Sequence, residues 1–255
     1  MIFRIIPTLL CDNDELVKTQ KFKNPKYIGD PINAVKIFNE KEVDELIFID
    51  ISASKKSKQP NFELINEIAS ECFMPLSYGG GINDLNQMEK VLSCGVEKII
   101  INNSLHDNSN LISEAEKIFG SQFLVASIDV KKNIFGKYCI YDYLNKKVIS
   151  KNILEYINFI SSLGFGEIYL NNIDRDGLRN GYDIELISSI VSYTSLPVIA
   201  CGGLKDFDDL RAAYDVGCSA ASGGSYFIFQ GKHRAVLISY ADKERIESYI
   251  QMKNG

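Results

Sequence analysis

Several apolar runs in this 255-residue chain close on residues that can move protons or hold anions. FLVASIDVKK ends its apolar stretch in Asp129, IFID ends in Asp50, and NIDRDG carries Asp174 and Asp176 around Arg175. A carboxylate at the carboxyl end of a buried strand, pointing inward, is placed to exchange a proton with a bound substrate. Its structural alternative is to cap the next helix or to pair with a nearby cation. Asp129 is the candidate catalytic group, since it follows an otherwise apolar strand and precedes Val-Lys-Lys. For Asp174 and Asp176 the flanking Arg175 makes ion pairing an equal competitor. Lys18 opens KTQKFKNPKYIGDP, which reads as a long lysine-rich loop able to fold over an anionic ligand. A solvated loop is the plainer reading. The stretch RIIPTLL, which looks like the counterpart of VASID, ends in Leu10, a side chain that moves no proton.

Glycines supply a second chemistry. YGGGIND, ACGG and SGGS each follow a strand, as does INNS. Without a β-carbon, backbone amides there can close on an anion, and a following helix N-terminus adds its dipole. Two matched sets on opposite sides of one mouth would suit a substrate with a phosphate at each end. Taken singly, each diglycine need only make a tight turn.

The elements that must position these residues read as β-rich runs at about 3–10, 46–51, 75–78, 98–102, 123–129, 167–172, 197–201 and 218–222. Between them, PINAVKIFNEKEV, NFELINEIASECF, DLNQMEKVLSCG, ILEYINFISSLG and DIELISSIVSYT are apolar at helical spacing. Short, continuously apolar strands alternating with helices imply a parallel sheet buried on both faces. Eight such units close into a (β/α)8 TIM barrel, which typically needs about 250 residues. A shift of 122 places Glu45 on Glu167, Pro75 on Pro197, Gly80-Gly81 on Gly202-Gly203 and Gly95 on Gly217. The expectation is one TIM-barrel domain, 1–255, made of half-barrels at about 1–121 and 122–255. In that scheme Leu10 lies opposite Asp129, after a small change in loop length.

Composition is ordinary for a globular chain, 45% hydrophobic and 24% charged. A net charge of −5 argues against a general nucleic-acid or membrane surface, while leaving room for a local anion site. No stretch approaches a membrane span and the N-terminus has no basic leader, so a cytoplasmic protein is expected. Six scattered cysteines without a C-x-x-C, and two isolated histidines, His106 and His233, predict reduced thiols and no metal or other cofactor.

As a set, RIIP, DELIFIDISAS, YGGGIND, GVEKIIIN, FGSQ, SIDVK, GEIYLNNIDRDG and CGG resemble the cyclase barrel (HisF) of imidazole glycerol phosphate synthase, in order over nearly the whole chain. The resemblance implies a glutaminase (HisH-like) partner at the barrel floor, whose ammonia passes a ring of four charged residues and rises to a phosphorylated substrate. By position the ring is Arg4, Glu45, Lys98 and Glu167. A plain ion-pair network sealing the floor is the alternative. The implied phosphate sites are Gly81, Asn102 and Asn103 on one side and Gly177, Gly203, Gly224 and Ser225 on the other. Lys18, Asp129 and Asp176 also match family site positions. Three positions depart: Asn103 for a hydroxyl residue, Gly224 for the alanine before the serine, and Cys201 for a serine.

Leu10 departs most. The family uses two aspartates, ending strands one and five, as acid and base, and only Asp129 remains. Asp12, two residues on, would lie about 6–7 Å further out by strand rise. Losing half of such a pair removes on the order of 10²–10⁴ in rate. The pattern resembles a divergent branch found with surface-polysaccharide and flagellar-glycan genes. There the barrel and glutaminase would supply ammonia for converting an acetamido group on a sugar nucleotide to an acetamidino group, beside a separate synthetase-like protein. A true histidine-pathway cyclase that tolerates Leu10, and a non-catalytic conduit that activates its glutaminase, are the alternatives.

Overall fold

The computed structural model describes residues 3–56, 58–102, 104–105, 108–231, 233–241 and 248–250. In chain order β1 (Arg4–Asp12) is followed by a hairpin of β2 (Glu15–Gln20) and β3 (Lys23–Gly29), then α1 (Pro31–Glu40), β4 (Leu46–Asp50), α2 (Ile51–Lys55) and α3 (Phe62–Glu71). Next come β5 (Leu76–Gly79), α4 (Leu85–Ser93), β6 (Lys98–Ile101), α5 (Ser109–Phe119) and β7 (Leu124–Lys132). A second hairpin, β8 (Tyr138–Asp142) and β9 (Lys147–Ser150), precedes α6 (Ile153–Ser162) and β10 (Glu167–Asn172). The chain continues through α7 (Ile184–Val191), β11 (Val198–Cys201), α8 (Phe207–Asp215), β12 (Ala220–Gly223) and a one-turn α9 (Ser225–Ile228).

Strands β1, β4, β5, β6, β7, β10, β11 and β12 pair in parallel in that order, and β12 returns to pair with β1. The sheet is therefore a closed eight-stranded barrel with helices between its strands. Period-two alternation sorts each strand into two sets. Ile5 and Leu9, Leu46 and Phe48, and Leu124, Ala126 and Ile128 face the helices in one large core. Ile6, Ile47, Ile100, Val125, Tyr169, Ile199 and Ala220 fill the barrel axis as a separate inner cluster. Strand β1 thus carries Arg4, Ile6, Thr8 and Leu10 as one inward column, spanning about 20 Å from floor to mouth at strand rise.

Contacts obey the 122-residue shift. Leu46 N donates to Pro75 O as Ile168 N does to Pro197 O, both at 2.9 Å. Glu97 N donates to Leu76 O at 2.9 Å, as Ser219 N does to Val198 O at 3.0 Å. Gly80 and Gly202 have φ of 122° and 91°, and a β-carbon on either would strike the carbonyl oxygen of Asp50 or of Asn172, again 122 apart. These glycines are needed for close backbone approach.

Two corrections follow. The lysine-rich stretch after β1 is the β2–β3 hairpin, and Lys18 is a buried strand residue, 5% exposed, not part of a long loop. Likewise β1 does not end at Leu10 nor β7 at Asp129: they run on to Asp12 and Lys132, each into its own hairpin. The turn at Lys21 and Phe22 has φ of 51° and 62°, a conformation hairpins usually build from Asn-Gly.

Candidate functional site

A cavity of about 460 Å³ opens at the carboxyl ends of the barrel strands. Leu10, Lys18, Gly81, Asn102, Asp129, Asp176, Gly224 and Ser225 all line it, so eight of the positions singled out in the sequence meet in one pocket. Gly177 and Gly203 are not among its lining residues. A β-carbon on Gly177 would strike Thr19 O under the first hairpin, and one on Gly203 would strike Gly181 O, so backbone packing accounts for both. Asn103 and His106 lie outside the described residues.

Asp129 sits on the inward column of β7 above Val125 and Ser127. Asn102 Nδ2 donates to Asp129 Oδ2 at 2.7 Å, which ties Asn102 to the carboxylate. Burial pushes the Asp129 carboxyl up to about 7; the Asn102 hydrogen bond opposes that rise and the charges of Asp176 and Asp142 add to it. A carboxyl poised there can take or give a proton near neutral pH.

Leu10 occupies the corresponding place in the other half. Leu10 is in register with Ile49 and Asp129 with Asn171, and Ile49 and Asn171 are 122 residues apart. Asp12 is not among the lining residues, and its carboxylate accepts from Asn13 Nδ2 at 2.9 Å. Asp50 caps α2, accepting from Ser52 N at 2.8 Å, Ser52 Oγ at 2.7 Å and Ala53 N at 3.0 Å. Of the three acidic strand ends, Asp50 therefore takes the capping role.

Lys18 Nζ donates to the Thr8 carbonyl at the top of β1. Burial lowers its ammonium to about 8, against the pull of Asp176. Asp176 holds the first hairpin, accepting from Thr19 Oγ1 at 3.2 Å and Phe22 N at 3.5 Å. Burial raises its carboxyl while Lys18 and these two donors lower it. Arg175 pairs with Asp183 at 3.6 Å, and no ion pair to its neighbours Asp174 and Asp176 accompanies it among the described residues. Asp174 accepts from Lys132 N at 2.8 Å.

Sequence reasoning missed Asn171, buried at 8%, whose Oδ1 has no hydrogen-bond partner although the residue lines the pocket. Its signal was its parity with Glu167 and Tyr169 on one strand. It also missed Phe22 and Tyr143, at the turns of the two hairpins, whose rings meet edge-on at 5.2 Å beside the mouth. At the base of the pocket, which all three residues line, Tyr169 Oη lies 2.9 Å from Cys201 Sγ and 3.2 Å from Thr8 Oγ1, closing the inner apolar layer with hydroxyl and thiol groups.

The floor is a closed ring of alternating charge. Arg4 pairs with Glu45 at 2.6 Å and with Glu167; Lys98 pairs with Glu45 at 3.0 Å and Glu167 at 3.1 Å. Ser77 Oγ adds a bond to Glu45 at 2.9 Å. The carboxylates are nearly sealed, 3% and 8% exposed, while the two cations keep about a fifth to a quarter of their surface. Above this ring the inner cluster, 0–7% exposed, fills the axis. Among the described residues no group of three or more His, Cys, Asp or Glu side chains could hold a metal ion. No described helix is long and apolar enough to cross a membrane.

Strands, pocket and floor define a (β/α)8 barrel whose candidate reacting groups come from the carboxyl ends of different strands. Residues 4–234 match the histidine biosynthesis protein family, and the chain belongs to it. Within it the chain is HisF-like. It is 49% identical, over 96% of its length and 98% of the relative's, to a Pseudomonas aeruginosa protein provisionally named imidazole glycerol phosphate synthase subunit hisF2. A Leptospira borgpetersenii protein, also provisionally named as the HisF subunit, is 46% identical over 95% of this chain and 98% of its own. The imidazole glycerol phosphate synthase subunit HisF of Petrotoga mobilis is 36% identical over 88% and 89%.

Proposed function

We propose that this chain is the synthase subunit of a glutamine-dependent amidotransferase, receiving ammonia from a HisH-like glutaminase at its floor and using it on a phosphorylated acceptor at its mouth. The acceptor class we assign is an acetamido sugar nucleotide, converted to the acetamidino form in the cytoplasm during surface-glycan synthesis. The observation that carries this reading is the pairing of an intact four-membered floor with Leu10 at the mouth. The floor is what an ammonia-fed barrel needs, and the strand-one acid needed for imidazole ring closure is missing.

Ammonia would enter by parting the Lys98 or Arg4 ion pairs and cross the Ile6–Ile47–Ile100 layer as a neutral molecule, since that layer offers nothing to an ammonium ion. Asp129, held by Asn102, would take a proton from the nitrogen as its bond to carbon forms. Lys18, the Gly81 loop and Ser225 would hold the phosphates. Replacing an amide oxygen by nitrogen needs that oxygen first made a leaving group by phosphoryl or nucleotidyl transfer from a nucleoside triphosphate, a step assigned to a separate synthetase-like protein; the C–O bond then breaks and the oxygen departs on phosphate as nitrogen takes its place.

A histidine-pathway cyclase is the competing reading, favoured by the retained Asp129, and a non-catalytic conduit is the third. Co-purification with a candidate glutaminase, with glutamine hydrolysis measured with and without this subunit, tests the partnership. Asp129→Asn should then abolish acetamidino product in the reconstituted system and leave hydrolysis stimulated. Acetamidino product formed at the wild-type rate by Asp129→Asn would instead favour the conduit.

A further inference from the structure

The two half-barrels present chemically opposite faces to one cavity. Leu10 and Ile49 are neighbours in register on β1 and β4, and Asp129 and Asn171 are neighbours in register on β7 and β10. The pairs occupy equivalent positions in the repeat, so the apolar pair faces the polar pair across the barrel axis. All four line the pocket. Leu10 and Ile49 stay partly exposed there, apolar surface that a ligand would remove from water. On the opposite side Asn171 Oδ1 is buried without a partner, a state that costs free energy until a donor arrives. The carboxamide can present either end by a half-turn of its last torsion, so it can meet an N–H or a carbonyl. The mouth of an eight-stranded barrel is wide enough for one small group.

We propose that Leu10 and Ile49 form an alkyl seat, and that the pocket takes a phosphorylated ligand bearing a short N-acyl group whose alkyl end rests on that seat while its amide heteroatoms face Asn171 and Asp129. A short acyl amide is alkyl on one side and carries both an N–H donor and a carbonyl acceptor on the other, the two kinds of group that Asp129 and Asn171 can meet. The substitution at Leu10 then does more than delete an acid: it changes which group the mouth accepts. This deepens the acceptor assignment above and rests on it for the identity of the reaction, but not for the binding preference.

The test is binding of N-acetylglucosamine 1-phosphate, glucosamine 1-phosphate and glucose 1-phosphate by isothermal titration, with nuclear Overhauser effects recorded from the acetyl methyl. A methyl seated in an apolar pocket is worth about tenfold or more in affinity. Wild-type protein should favour the N-acetyl ligand over the other two by that margin, with Overhauser contacts to the Leu10 and Ile49 methyls. Leu10→Asp should reduce the preference to within about twofold. Leu10→Ala should lower it too, and serves if the aspartate variant does not fold. Equal binding of the three probes, binding by none, or contacts only to other residues overturns the seat. An intact preference in a reconstituted system that makes no acetamidino product would sink the proposed reaction and leave the seat standing.

Discussion

The ammonium of Lys18 fills the space that a side chain at Gly224 would need. A β-carbon built on Gly224 collides with Lys18 Nζ, lies 2.9 Å from Cε and 3.1 Å from the Thr8 carbonyl oxygen. The glycine on the last barrel strand's turn and the lysine on the first hairpin are therefore one device, holding a buried cation at the mouth. Burial, with Asp176 opposing it, lowers that cation to about 8.

Gly224→Ala should expel the ammonium toward water. The Lys18 Nζ titration, followed by nitrogen-detected NMR, should move up from about 8 toward its ordinary range. Affinity for sugar phosphates should fall about tenfold as a charge-assisted contact of roughly 1.5 kcal/mol is lost. An unchanged titration would show that the seat does not depend on the glycine.

The two shifted groups set opposite pH dependences of stability. The Asp129 carboxyl is raised to about 7, so the folded state binds its proton more tightly than the unfolded chain does. Its contribution is full below about 4, the unfolded value, and is lost as pH rises to 7. Lys18 is lowered to about 8, so its penalty is full below 8 and fades as pH rises toward 10.5. Asp129→Asn should therefore raise Tm at pH 8 and change it little at pH 4, and Lys18→Met should raise Tm at pH 7 more than at pH 10.5. Melting curves across this range check both signs. Barrel-dependent turnover, if it needs Asp129 ionised and Lys18 charged, should peak between pH 7 and 8.

Removing one member of the floor ring leaves two buried carboxylates with one cation. Lys98→Met should cost about 3 kcal/mol in urea unfolding, the lower end for a broken buried pair because Lys98 is partly exposed. Adding Glu45→Gln to it should cost less than the sum of the single changes, since the second removes the charge the first stranded. Strict additivity would mean that the four groups do not act as a ring.

The aromatic contact between the hairpins should control access. Phe22→Ala removes the ring that meets Tyr143 at 5.2 Å. It should cost about 1–2 kcal/mol in stability, the edge-on pair together with part of the ring's burial. Trypsin cleavage at Lys21 or Lys23 should accelerate at least several-fold, which limited proteolysis reads directly. Unchanged cleavage would place the hairpin's order elsewhere, in the Asp176 anchors.

The barrel was legible because its strands are short, apolar and regularly spaced, and because Glu45/Glu167 and the diglycines announce the repeat. The hairpins were not, since Lys21 and Phe22 make a left-handed turn without the Asn-Gly that marks one, and β2 buries Lys18 and Thr19 in a stretch that reads as solvated. Asp129 stood out at a strand end, whereas the four floor residues were placed by the family resemblance. Asn171 was not, because an asparagine inside YLNN shows its lack of a partner only once Gly202 and its neighbours surround it. For Gly177 the resemblance, and for Gly203 the CGG motif as well, implied anion contact; in the fold a β-carbon on either would strike backbone.

The account turns on Leu10 standing where its twofold partner is Asp129, and one assay addresses that directly. Purified wild-type protein and Leu10→Asp are each given ammonium salt and the histidine-pathway ribonucleotide, and imidazole glycerol phosphate is measured. The wild type should form none above background, and Leu10→Asp should raise formation by about 10² or more. Robust formation by the wild type, abolished by Asp129→Asn and unimproved by Leu10→Asp, would contradict it.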